Sequence, residues 1–233
     1  MDLIDLNTQP ENEARFPAFI DDLCNKLDIE FASYAAMSPI SGDVRFYANY
    51  PASWVDHYSK NELHHVDPAI HMSAKSVAPV DWQRFNRDEN FDRVFGSGRD
   101  FGIPDVGLSV PIRGPFGEFG LLSVSKNCSL DTWQNQKRQI IGDLQVAAVH
   151  MHDNVMQTEL LPRYFLRPQL SLREKEILQW AAAGKSQQDI GDILSISHRT
   201  VEVHLRSGRE KLNTLTTAQA VGRAVALGLI YPG

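Results

Sequence analysis

A chain of 233 residues with 42% hydrophobic and 22% charged content is long enough for one or two domains and ordinary for a soluble globular protein. Its net charge of −6 excludes a uniformly basic nucleic-acid coat, yet the charge is uneven: from Pro168 onward eight Lys and Arg stand against six Asp and Glu, so the excess acid lies upstream. No apolar run approaches the roughly 18 residues needed to cross a bilayer, the N-terminus lacks a cationic targeting region, and Cys24 and Cys128 lack metal-ligand spacing. These features predict a cytoplasmic protein with no membrane partner and two buried free thiols.

Residues 1 to 11 read as a loose arm. Phe16, Phe19, Ile20, Leu23 and Leu27 then recur at helical spacing and predict a helix from about Asn12 to Leu27. Phe31 to Met37 and Val44 to Tyr50 are strand-like runs on either side of the turn cluster Pro39 to Asp43. Gly107 to Ile112 and Phe119 to Ser125 form a clearer hairpin around Arg113-Gly-Pro-Phe-Gly-Glu118, whose two glycines permit positive backbone angles. Four or five antiparallel strands with helices before, between and after predict an α/β/α sandwich.

Between the hairpins, Tyr50, Trp54 and Tyr58 recur every four residues, so a helix after Pro51 puts Trp54 and Tyr58 on one face with Tyr50 at its entrance. Aromatic bodies with polar tips suit a small-molecule pocket, because each ring buries apolar area while its OH or NH fixes orientation; such a stripe equally serves as core. Val-Asp67-Pro follows, where Asp67 reads most simply as a helix or turn cap, and then Trp82. His57, His64, His65 and His71 have no Cys nearby, and the His64-His65 pair points opposite ways on a helix or strand, which argues against a metal site. Asp67, Ser109, Ser123 and these histidines are joined by no nucleophile-elbow sequence or metal-ligand series, so an enzyme is not expected.

Asp131 to Glu159 is the longest helical stretch, with Trp133, Ile140, Ile141, Leu144, Ala147, Ala148, Met151 and Val155 on broadly one side. Packing on the sheet and a dimer interface both account for it. His150 and His152 are expected at the surface or in that interface. Pro162 and Pro168 bracket a plausible linker, residues 163–169, between a domain over 1–162 and another over 170–233.

That second domain is punctuated by start and stop signals. Ser171 with Glu174 opens one helix that Gly184 closes, Ser186 with Asp189 opens a second, and a third starts after Ser197. The third carries Val201 and Leu205 inward and leaves His198, Arg199, Thr200, Glu202, Arg206 and Arg209 outward, although Gly208 within it predicts a frayed last turn. Thr216 with Gln219 opens a fourth helix, Ala218 to Leu227, ended by Gly228. Two short helices joined by a tight turn, the second polar and cationic, make a helix-turn-helix in an all-α four-helix domain; the fold class is α+β overall.

The series Leu-Ser-x-Arg-Glu-x-Glu-x-Leu, Ala-x-Gly-Lys-Ser, Ile-Ser-x-Arg-Thr-Val, Lys-Leu and Gly-Leu-Ile resembles the DNA-binding domain of the LuxR family. Tyr-Pro-x-x-Trp, Val-Asp-Pro and Trp82 resemble the autoinducer-binding domain of the same family, so the resemblance spans nearly the whole chain. It implies a dimeric regulator of quorum sensing that binds an N-acyl- or aroyl-homoserine lactone, with no other cofactor, and whose partners are palindromic duplex DNA and RNA polymerase. Tyr50 and Ser123 would then donate to the amide carbonyl of the signal, Trp54 to the lactone carbonyl, Asp67 would accept the amide NH, and Tyr58 and Trp82 would wall the pocket. An empty pocket should leave Asp67, Tyr50 and Trp54 without partners. On DNA, Arg206 and Glu202 are the base-reading residues, while Lys185, Ser186, Gln187, Arg199, Thr200 and Arg209 face phosphates. An i,i+4 pairing with Arg206 accounts for Glu202 equally well. A regulator whose N-terminal domain needs no ligand remains the alternative.

Overall fold

Three hydrophobic clusters organise the described residues, two in one compact unit and the third in another. The computed structural model describes residues 15–37, 44–114, 118–156 and 169–231. The predicted N-terminal arm, the Pro39 to Asp43 turn and most of the predicted linker lie outside these residues.

In the first unit the predicted stripe Phe16, Phe19, Ile20, Leu23 and Leu27 is buried along α1 (Arg15–Leu27). Strands β1 (Phe31–Met37), β2 (Val44–Ala48), β3 (Val80–Asp81), β4 (Gly107–Arg113) and β5 (Phe119–Ser125) form an antiparallel sheet in the order β2-β1-β5-β4-β3. Alternation splits its side chains between two faces. Ala32, Tyr34, Ala36, Leu108, Val110, Leu122 and Val124 pack with α1 and with α4 (Leu130–Val155), which contributes Trp133, Ile140, Leu144, Ala148, Met151 and Val155. The intervening positions, Ser33, Ser109, Ser123 and Ser125 among them, point to the opposite face. A second cluster is built there by α2 (Ala52–Lys60), α3 (Pro68–Ala74) and short helical turns across residues 82–100. The sandwich expected from the sequence is therefore present.

Three local expectations are corrected. His152 is buried, not superficial: its Nδ1 meets the Tyr34 hydroxyl at 2.7 Å, and it lies so close over Gly120 that no larger residue fits there. Gly114 lacks a positive φ; instead the Glu118 carboxylate occupies the space its Cβ would need. Cys24 is buried as expected, but Cys128 is only half-buried.

The second unit contains α5 (Leu172–Ala182), α6 (Gln187–Leu194), α7 (His198–Lys211) and α8 (Thr217–Ala226). Capping boxes at Ser171/Glu174, Ser186/Asp189 and Thr216/Gln219 open α5, α6 and α8, and Ser197 caps α7. Each satisfies orphan amides of a first turn and so fixes where the chain enters the helix. Gly184 and Gly228, both at positive φ, follow α5 and α8. Gly208 does not fray α7: it is buried where α7 crosses α5, with its ideal Cβ position 3.4 Å from Leu178 Cδ1, so the glycine permits a close helix approach. Ile177, Leu178, Ile190, Val201, Leu205, Leu212, Ala220 and Ala224 fill the core between the four helices.

Candidate functional site

Pro51 directs the chain into α2, where its fixed φ suits a helix start. This sets Trp54 in the second cluster of the first unit, 5.7 Å edge-on to the Tyr58 ring and close over Gly98. The Tyr50 ring packs 5.7 Å from Phe31. Tyr58 donates its hydroxyl to Asp67 Oδ2 at 2.7 Å, and Asp67 Oδ1 accepts from the Ala69 amide at 2.7 Å as the N-cap of α3. The expected empty state is thus wrong for Asp67, which has two partners in the protein itself, because it serves as the helix cap as well. Trp54 meets the expectation: its indole NH makes no hydrogen bond among the described residues.

Burial raises the Asp67 carboxyl above its ordinary value, with the Tyr58 hydroxyl and the α3 amides opposing it. Burial likewise raises the Tyr58 phenol, and the Asp67 charge adds to that. Tyr50 is pushed up to about 12, by burial first, while the neighbouring Ser33 hydroxyl draws it down and Asp67 raises it again. The three groups therefore sense one another in a dry setting where polar interactions are strong.

On the sheet, Trp82 Nε1 donates to Ser109 Oγ at 2.8 Å, and Ser109 Oγ lies 2.8 Å from Ser123 Oγ. Ser109 accepts from the indole and keeps a second lone pair and its own proton, so either serine can be the donor in the pair. When Ser109 donates, the Ser123 proton is available to a further acceptor. Trp82 also presses against Gly107, where a Cβ would collide with the indole at 2.5 Å. Tyr50, Trp54, Tyr58, Asp67, Trp82 and Ser123 consequently gather on one sheet face. Ser33 and Ser109, absent from the predicted ligand-contact set, join them, since the register places Ser33 and Ser109 on either side of Ser123. The signal was available: Ser109 and Ser123 are equidistant from the hairpin turn and so must be cross-strand partners.

In the second unit, Arg199, Thr200 and Arg206 are exposed on α7, and Lys185, Ser186 and Gln187 at the entrance of α6 are exposed too. Arg206 pairs with Glu210 at 3.0 Å, not with Glu202. Glu202 instead accepts from Arg209 at 2.8 Å and from Gln187 Nε2 at 2.5 Å; the Arg209 hydrogen bond leads the causes that lower its carboxyl. Arg209 reaches Thr217 as well, at 3.1 Å, and is folded back rather than outward. Glu202 and Arg209 thus tie α6, α7 and α8 together.

Residues 12–155 match the family described as the autoinducer binding domain, and residues 168–224 match the bacterial regulatory proteins of the luxR family. The chain belongs to the LuxR family of autoinducer-binding transcriptional regulators. The transcriptional activator protein SolR of Ralstonia solanacearum is 31% identical over 231 residues, 94% of each chain. A longer protein of Sinorhizobium fredii, named as an HTH-type regulator, is 32% identical over 203 residues, which are 85% of this chain and 61% of that one. The crystal structure of Escherichia coli SdiA superposes with a TM-score of 0.72 at 25% identity, covering 97% of this chain and 94% of SdiA. A structure of SdiA in complex with octanoyl-rac-glycerol gives 0.66 at 26% identity, covering 96% and 91%. This family consists of transcriptional regulators, not enzymes. Its autoinducer-binding domain takes a small-molecule signal, and its helix-turn-helix binds DNA. Among the described residues no helix is long and apolar enough to cross a membrane.

Proposed function

We propose that this protein is a cytoplasmic quorum-sensing regulator that binds an N-acyl- or aroyl-homoserine lactone on the Trp54–Asp67–Ser123 wall and, as a homodimer, binds a palindromic operator and contacts RNA polymerase. The observation that carries the ligand reading is the mixed wall itself. It holds an indole NH on Trp54 that no described residue accepts, a Ser123 hydroxyl whose proton is available when Ser109 donates, and the buried Asp67 carboxyl. An acyl amide joined to a lactone complements this set, with two carbonyl acceptors and one NH donor. Ser123 and Tyr50 donate to the amide carbonyl, Trp54 to the lactone carbonyl, and Asp67 accepts the amide NH, while Tyr58 and Trp82 hold the carboxylate and the serine pair in place. The occupancy of SdiA by octanoyl-glycerol supports an acyl ligand with a polar head more generally.

For DNA, Arg206 is the proposed base-reading residue and Lys185, Ser186, Gln187, Arg199 and Thr200 position the phosphates, while Glu202 and Arg209, bonded to each other, hold that surface in shape. Dimerisation runs along α4, whose outward Val146 and Val149 are exposed. The domain limits proposed from the sequence, 1–162 and 170–233, suit this division of labour. Titrating purified protein with a panel of acyl- and aroyl-homoserine lactones and with octanoyl-glycerol, following tryptophan fluorescence, tests the reading. Saturable binding of a lactone, weakened in Asp67→Asn and Trp54→Phe, is expected; equal binding to all three proteins contradicts it.

A further inference from the structure

The outward stripe of α7 runs through Arg199, Val203, Arg206 and Glu210, at the four- and three-residue steps that keep one helical face. Val203 is the single apolar member of that stripe and is 61% exposed, whereas Val201 and Leu205 on either side in sequence are buried. A β-branched residue gains nothing for the helix at such a place, being a weaker helix former than alanine and left in water. Glu202, its immediate neighbour, has both carboxylate oxygens occupied, by Arg209 and by Gln187 of α6. The centre of the groove-facing line is therefore a methyl-bearing side chain between two exposed guanidiniums.

We infer that Val203 reads a thymine in the major groove through the C5-methyl group, with Arg199 and Arg206 holding the duplex on either side. This rests on the DNA-binding reading of α7. Only thymine presents a methyl group on the major-groove edge, and an apolar side chain distinguishes it by excluding water from both. The cations on the same stripe fit phosphate or guanine and no apolar protein partner.

The test uses the full-length protein with its bound signal and the tightest duplex it selects from a randomised pool. Each thymine of that duplex is replaced singly by deoxyuridine, which removes the methyl and keeps the pairing. The expected result is one position per half-site where this costs about fourfold in affinity, the worth of burying one methyl-sized group. Val203→Ala, which touches no core, should bind the thymine and deoxyuridine duplexes equally and select without preference at that position, with an unchanged salt dependence. Loss at no position, or an identical deoxyuridine penalty in Val203→Ala, overturns the assignment while leaving operator binding intact. Failure to select any sequence would instead strike down the DNA reading on which it rests.

Discussion

Tyr58 donates to Asp67 at 2.7 Å, so the carboxylate proposed to take the amide NH of the signal is already held in place by a neighbouring phenol and by the cap of α3. Removing that donor in Tyr58→Phe leaves a buried carboxylate with one partner fewer. A loss of about 1–3 kcal/mol in stability of the ligand-free protein is expected by thermal or denaturant unfolding. Weaker signal binding should accompany it, since Asp67 is then free to turn away.

Because burial raises the Asp67 carboxyl, protonation competes with acceptance of an NH. Signal affinity should therefore fall as pH drops through the raised Asp67 value, and calorimetric titrations across acidic pH should show this slope. Asp67→Asn should bind more weakly and without the slope. A wild-type affinity that is flat with pH would remove the carboxylate from recognition.

Ser109 touches Ser123 and Trp82, so the part proposed for it in signal binding is to orient another group. Ser109→Ala should weaken signal binding by about fivefold, the worth of one hydrogen bond at roughly 1 kcal/mol, while Ser109→Thr keeps the hydroxyl and most of the affinity. Equal loss in both would point to packing rather than to the hydroxyl.

The elements and their caps were legible because they depend on local chemistry: Ser171 with Glu174, Ser186 with Asp189 and Thr216 with Gln219 each announce a first turn, and the structure has a helix at each. The apolar stripe of α1 was legible for the same reason. Pairings across the fold were not. Nothing local says that Glu202 joins Arg209 and Gln187 in place of Arg206, or that His152 turns inward onto Tyr34, since both depend on how helices cross or pack on the sheet. Gly208 misled for a related reason: propensity treats it as a weak helix residue, while the close contact with Leu178 makes its small size the useful property.

Acid should act on the two units over different ranges. Burial holds His152 down to about 4 from 6.5, against an opposing pull from Asp153, so the unfolded chain takes up this proton first and stability of the first unit is lost as pH falls from about 6.5 to about 4. Glu174 in the second unit is raised by burial but lowered more by Lys211, the Ser171 amide and Ser207, to about 2 from 4.5. Its contribution, present above 4.5, is lost as pH falls toward 2. Trp180, the one tryptophan after Pro168, reports the second unit, and far-UV circular dichroism reports both. His152→Gln should flatten the upper range alone, and Glu174→Gln the lower range alone.

Arg206 and Arg209 should separate on DNA. Arg206, paired only at the surface with Glu210, should cost roughly 1–3 kcal/mol of binding when replaced by alanine, with relaxed specificity at one base pair. Arg209→Ala also breaks the Glu202 and Thr217 links and should lower the melting temperature, which Arg206→Ala should not. Uniform weakening of all operator variants by Arg206→Ala would make that residue a phosphate contact.

The most direct measurement is the mass of whatever small molecule leaves the protein when it is expressed with a panel of acyl- and aroyl-homoserine lactones, purified and extracted. A signal present at a hundred times its dissociation constant stabilises the fold by about 2.7 kcal/mol, so one lactone should be recovered in stoichiometric amount, with less soluble protein when it is withheld. Soluble, empty protein that binds operator equally well under every condition would contradict the sensor reading and return Asp67 and Trp54 to purely structural roles.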